Sequence, residues 1–247
     1  MPDQRQDSEP PLRQYFAHSA NGPGKWHRLA DHLTSVSKIA KEFLQGRSGA
    51  EEAALAGLLH DLGKYGDRFQ ARLRGEDQGL DHWSQGAWVA LTEHRAIAAA
   101  LAIQGHHVGL QRANTDALRR MNPQSLNQNH PFRLALSDSD CTRLKQRAEA
   151  DGLLLQMPAQ TTLPHQNGMA QAVSAMLDVR LLFSCLVDAD FLDTASHFDG
   201  DAQGKRPRPE GPKLDASAAL ATLDAHMAAL RATTGAQVAV RQAREIL

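Results

Sequence analysis

His60 and Asp61 stand in the apolar run LAGLLHDLGKY, at a point where a buried helix would ordinarily continue with Leu or Ala. A carboxylate removed from water needs a compensating charge, so Asp61 there points to a cation or an ion pair. Other titratable side chains share this kind of setting. His32 lies one turn beyond Leu29 in HRLADHL, His82 follows Asp81 in GLDHWSQGAW, His106-His107 follow Gly105, and Asp188 lies within LLFSCLVDADFLD. Borderline-soft imidazole nitrogen and hard carboxylate oxygen together suit Mn, Fe, Co, Ni or Zn. Taken singly, most of these residues have an ordinary reading: a solvated helix end for the doublet, a core histidine for His32, a helix start for His82, a loop for His106-His107. Asp188, inside the most apolar stretch of the chain, is the hardest to explain without a cation.

Helices must bring these groups together. Between Trp26 and Leu44 the residues Leu29, Leu33, Val36, Ala40 and Phe43 recur at steps of three and four, the spacing of an amphipathic helix. Glu51 to Leu62 is rich in Ala and Leu, has acidic residues in its first turn and meets Gly63 where a helix often stops. Adjacent helical residues lie about 100° apart, so His60 and Asp61 can serve one site only over a helix end or edge. If the helix continues through Gly63, Lys64 joins the face of His60. A third helical region covers Gly86 to Gln104 with a break near Glu93, and a long one follows from Met169 to about Leu192. No convincing strand alternation occurs. The segment from Gly109 to Pro164 is rich in polar turn residues and holds one helix near Ser139 to Glu149, so it reads as an excursion from the core. The expected fold is all-α with a partly irregular insertion.

Composition places the 247 residues among ordinary globular proteins, with 42% hydrophobic and 22% charged residues. Lys+Arg number 27 against Asp+Glu 28, a balance that argues against a large DNA-coating surface and leaves room for a local basic groove. The unusual count is twelve histidines. Two distant cysteines, Cys141 and Cys185, indicate neither a disulfide framework nor a thiolate zinc site. The polar start MPDQRQDSEPPLRQ lacks a secretory pattern, and no apolar run approaches a membrane span, so no membrane association and a cytoplasmic location are expected. Residues 199–213 have the Gly, Pro and charge content of a linker, followed by an amphipathic pattern at Leu214, Leu220, Leu223, Met227 and Leu230. This divides the chain into a domain over residues 1–200 and a linker with a terminal helix over residues 201–247.

The ordered set His32, HDLGKYGDRFQ, DHWSQGA, GHHVGL and FSCLVDADFLD resembles the HD superfamily, and specifically the HD nuclease domain of the helicase-nuclease of type I CRISPR systems. It covers about residues 15–195, with YFAHS and VAVRQAREIL resembling the flanks. The resemblance implies an HD-type helical core and two divalent transition-metal ions, Mn, Fe, Co or Ni before Mg or Zn. Carried over by position, it sets His32, His60, Asp61 and Asp188 around a first ion, and Asp61 bridging to a second held by His82, His106 and His107. Asp61 and Lys64 would serve catalysis, Lys64 by stabilising charge on a phosphate. The implied reaction is cleavage of single-stranded DNA by a metal-activated water, beside an RNA-guided CRISPR surveillance complex and a helicase domain or subunit; the alternatives are an HD-type nucleotide or cyclic-dinucleotide phosphohydrolase and a non-catalytic metal-stabilised interaction module. No Walker A pattern occurs, so any helicase would be a separate subunit or lie beyond Leu247. One departure is visible: Trp83 separates His82 from Ser84, which puts the family serine's role in doubt. Arg112, Arg119 and Arg120 could contact a strand backbone, and Trp83 and Trp88 could stack on bases. The remaining histidines, His130 among them, read as solvent-facing or structural.

Overall fold

The computed structural model describes residues 14–155, 169–200 and 213–232. The chain divides into two units, residues 1–206 and 207–247. In the first, a short antiparallel pair, β1 (Phe16–His18) and β2 (His27–Arg28), leads into α1 (Leu29–Phe43) and α2 (Ala50–Leu59). A 3₁₀ turn (Leu62–Tyr65), α3 (Asp67–Leu73) and β3 (Leu80–Asp81) connect these to α4 (Ser84–Thr92) and α5 (Ile97–Gly105). The excursion holds α6 (Thr115–Arg119), α7 (Pro123–Gln128), β4 (Ala135–Leu136) and α8 (Cys141–Ala150), and α9 (Met169–Asp199) completes the unit. The described part of the second unit is dominated by α10 (Ala216–Ala232), where the terminal amphipathic pattern lies. The segment VAVRQAREIL falls outside the described residues. Among the described residues, no helix is long and apolar enough to cross a membrane.

The fold is all-α, as the periodicity implies. α1 buries Leu29, Leu33, Val36 and Ala40 on one face, and His32 lies on that face with 0% exposure. α2 has no polar side along most of its length: Glu52 through Leu59 are all buried, as befits a helix enclosed by neighbours. It packs against α1, α4, α5 and α9. Two close approaches set its position. A side chain at Gly57 would run into the backbone of Ser37 on α1, and one at Gly86 on α4 would overlap the carbonyl of Leu59. These glycines let α2 sit against both helices at backbone distance.

Three sequence expectations needed revision. α2 stops at Leu59, and Leu62–Tyr65 form a 3₁₀ turn, so Lys64 reaches the site from that turn and not from His60's helical face. The strands that alternation did not signal are pairs two or three residues long, too short to carry a period. β3 and β4 pair in parallel, Leu80 with Ala135 and Asp81 with Leu136, which ties the excursion to the core immediately before His82.

Candidate metal centre

Two helices end in the same way at the centre. α2 terminates on His60 and α5 on His106, and each ring folds back so that Nδ1–H donates to the carbonyl three residues earlier, Gly57 at 2.9 Å and Ile103 at 2.7 Å. Those carbonyls belong to the last turn, where acceptors lack a helical partner. With Nδ1 engaged there, Nε2 of each ring is directed into the centre. The helix ends also bring partial negative charge to the same place, a setting that favours cations.

His32 arrives from α1 with Nδ1 2.7 Å from Asp193 Oδ2, and its Nε2 faces His60 Nε2 at 3.2 Å. His82 follows β3, its ring between Phe69 and Trp83, and its Nε2 faces His107 Nε2 at 3.0 Å. Asp61 lies between the two pairs. Its Oδ2 is 3.3 Å from His32 Nε2 and 3.2 Å from His60 Nε2, and its Oδ1 is 3.3 Å from His82 Nε2 and 3.8 Å from His106 Nε2. Lys64 Nζ stands 2.6 Å from Asp61 Oδ2 and 3.2 Å from the Ala17 carbonyl, both side chains buried. The structure thus gathers His32, His60, Lys64, His82, His106 and His107 around the Asp61 carboxylate.

Asp188 does not join them, which corrects the sequence assignment: it lies on the exposed side of α9. Asp190, two residues on and about 200° around the helix, turns inward, with Oδ1 3.5 Å from His32 Nε2 and 3.7 Å from His60 Nε2. The signal was present in the run, since Leu182, Leu186 and Ala189 mark the buried face and continue to Asp190 and Asp193.

The donor set fits divalent cations. Asp61 Oδ1 and His106 Nε2 are buried without a hydrogen-bond partner, and imidazole nitrogens face one another at 3.0 and 3.2 Å. That separation is close to the edge of about 3.3 Å spanned by two ligands at Zn–N distances of about 2.0–2.1 Å in a tetrahedron. Among the described residues four overlapping groups supply ligand atoms within 4.8 Å of one another: His18, His27 and His32; His32, His60 and Asp190; His60, Asp61 and His106; Asp61, His82 and His107.

Charge in the metal-free protein is distributed accordingly. Burial opposes the charged form of His60, but Asp61 and Asp190 outweigh it and push its pKa up to about 10. Burial would raise the carboxyl of Asp61, yet His60 and Lys64 hold it well below the usual range. Asp190 is likewise lowered against burial by its hydrogen bond to His60. Burial, reinforced by His106 and His82, pushes His107 down to about 3, and burial also lowers His82. His82 and His107 therefore present neutral nitrogens at neutral pH, the form that binds metal.

The surroundings hold the second pair of rings in place. Asp81, fully buried, accepts from the backbone N–H of Trp83 and Ser84 and from the Ser84 hydroxyl, and His130 Nε2–H donates to it at 2.8 Å. His130 is therefore structural, and Ser84 supports Asp81 despite the intervening tryptophan. Trp83 is 5% exposed and packs on His107, so it has no face to offer a base. Trp88 packs against the core.

A buried carboxylate divided between histidine pairs at the ends of packed helices is a donor set compatible with divalent metal binding. Residues 29–151 match the HD domain family, which supports placing this part of the chain in the HD superfamily. HD domains are generally metal-dependent phosphohydrolases. No curated protein matches the chain.

Proposed function

We propose that the domain is a metal-dependent endonuclease that hydrolyses phosphodiester bonds of single-stranded DNA, working in type I CRISPR interference with a helicase domain or subunit and an RNA-guided complex. The observation that carries the hydrolytic reading is Asp61, whose two oxygens face two separate histidine pairs. When bound there, divalent cations would lower the pKa of a water to give hydroxide and neutralise the phosphate oxygens during in-line displacement. His32, His60, Asp61 and Asp190 would hold one ion, and Asp61, His82 and His107 the other, with His106 directed at Asp61 between them. Lys64 places a buried ammonium beside Asp61, positioned to offset negative charge as it develops on the phosphate.

The preference for DNA over a small nucleotide rests on GHHVGL and VDADFLD, the motifs that resemble the CRISPR-associated branch. A polymeric substrate would need access from the surface: the His107 ring, packed on its inner side against His82, Trp83 and His106, reaches the surface at one end of the cluster, and exposed Arg112, Arg119 and Arg120 follow it in the chain. The test is cleavage of circular single-stranded DNA with Mn, Fe, Co, Ni, Mg and Zn supplied separately, beside a nucleotide panel, with chelator and Asp61→Ala controls. Cutting of the circle that requires metal and Asp61 is expected. Activity confined to nucleotides would move the assignment to a nucleotide phosphohydrolase, and no cutting under any metal would end the nuclease reading.

A further inference from the structure

Asp190 and Asp193 share the inner face of α9 one turn apart but meet opposite ends of the same ring. Asp190 approaches His32 Nε2, on the side of the centre, whereas Asp193 Oδ2 lies 2.7 Å from His32 Nδ1, on the far side. Asp193 is 8% exposed and is held from a second direction by His27 of β2, whose Nε2 is 3.5 Å from the same oxygen. Its position is therefore set by α9, α1 and β2 together. A carboxylate accepting Nδ1–H fixes an imidazole as the tautomer with a free Nε2 lone pair, prevents the ring from turning and raises its basicity as a ligand. His60 and His106 obtain the first two effects from backbone carbonyls. His32 obtains them from Asp193, alone among these three in being anchored by a carboxylate.

We propose that Asp193 is a positioning residue of the metal centre, setting the tautomer and orientation of His32 for its ion; this rests on reading His32 as a metal ligand. Asp193 would touch neither ion nor substrate.

The test titrates Co²⁺ alone into the full chain, reading visible absorption with chelator competition, for wild type, Asp193→Ala, Asp193→Asn, His32→Ala and the double variant His32→Ala/Asp193→Ala. Asp193→Ala is expected to weaken Co²⁺ binding about 10- to 100-fold. Asp193→Asn, which keeps an acceptor oxygen without the charge, should recover part of that loss. Because Asp193 acts through His32, the double variant should bind no more than about twofold more weakly than His32→Ala. Wild-type affinity in Asp193→Ala, or losses that add in the double variant, would overturn the proposal. If Asp193→Ala does not fold, the same cycle with Asp193→Asn decides. Absence of Co²⁺ binding by wild type would defeat the metal-centre reading and this proposal with it. Normal wild-type binding with unaffected Asp193 variants would defeat this proposal alone.

Discussion

His32 Nε2 and His60 Nε2 face each other at 3.2 Å, although the Nδ1 proton of each ring is already directed elsewhere, to Asp193 and to Gly57. Two ring nitrogens at that distance need a positive charge between them. Asp61 and Asp190 push the His60 pKa up to about 10 against burial, so without metal the His60 proton supplies that charge. A divalent cation would take the proton's place.

That exchange sets a pH dependence. Burial first, then neighbouring cations, pushes His18 down to about 2, His27 to about 4 and His107 to about 3. Unfolded, each titrates near 6.5, so the denatured chain takes up protons that the native state refuses, and stability falls as pH drops from about 6.5 towards 4. His60 runs the other way: its pKa is raised to about 10, so its contribution is fully present below about 6.5 and is lost as pH rises through 10. Urea denaturation of the metal-free protein should therefore show greatest stability near pH 6.5. Added Mn²⁺ or Co²⁺ should stabilise more strongly as pH rises, because binding displaces the His60 proton. A metal-free protein that gains stability from pH 6.5 to 4 would contradict these assignments.

Asp188 and Asp190 separate sequence position from helical face. Asp190→Ala should weaken metal binding at least tenfold and lower hydrolysis with it, while Asp188→Ala should leave metal affinity within about twofold of wild type. Calorimetric titration with Mn²⁺ checks both. The opposite ranking would restore the assignment made from the motif alone.

Asp61→Ala removes the shared carboxylate and leaves the buried ammonium of Lys64 without its 2.6 Å partner. Breaking a buried pair from one side costs about 3–5 kcal/mol, so the metal-free variant should unfold at lower denaturant concentration as well as lose hydrolysis. Asp61→Ala combined with Lys64→Met should recover much of the stability and none of the activity. Equal stability in the single and double variants would show that Lys64 finds another partner.

Gly86→Ala tests the close approach of α4 to α2. The added methyl meets the Leu59 carbonyl, one residue before His60, so the helices must separate. A loss of about 1–3 kcal/mol is expected, together with weaker metal binding, because α4 begins two residues after His82. Wild-type stability by thermal denaturation would mean that the crossing can relax.

Much of the centre was legible in the chain because it lies at breaks in apolar periodicity. His60-Asp61, His82 and His106-His107 each sit at or beside a helix end, and helix ends are marked by glycine and by loss of the 3.6-residue pattern. The helices themselves were legible for the same reason, as was the interruption between α4 and α5. The excursion was not, because short parallel pairing between β3 and β4 and the Asp81–His130 contact join residues 49 to 55 positions apart, with no local period to announce them.

The sequence by itself determined which residue types were available and roughly where helices would present them. Only the tertiary structure decided which aspartate of DADFLD turns inward, that Lys64 comes from a 3₁₀ turn, and that Asp193 stands behind His32. Side-chain type is a property of the chain, but facing is set by a helix's rotation against its neighbours. A two-residue step on α9 reverses direction, and packing against α1 and α5 chose the face that carries Asp190 and Asp193.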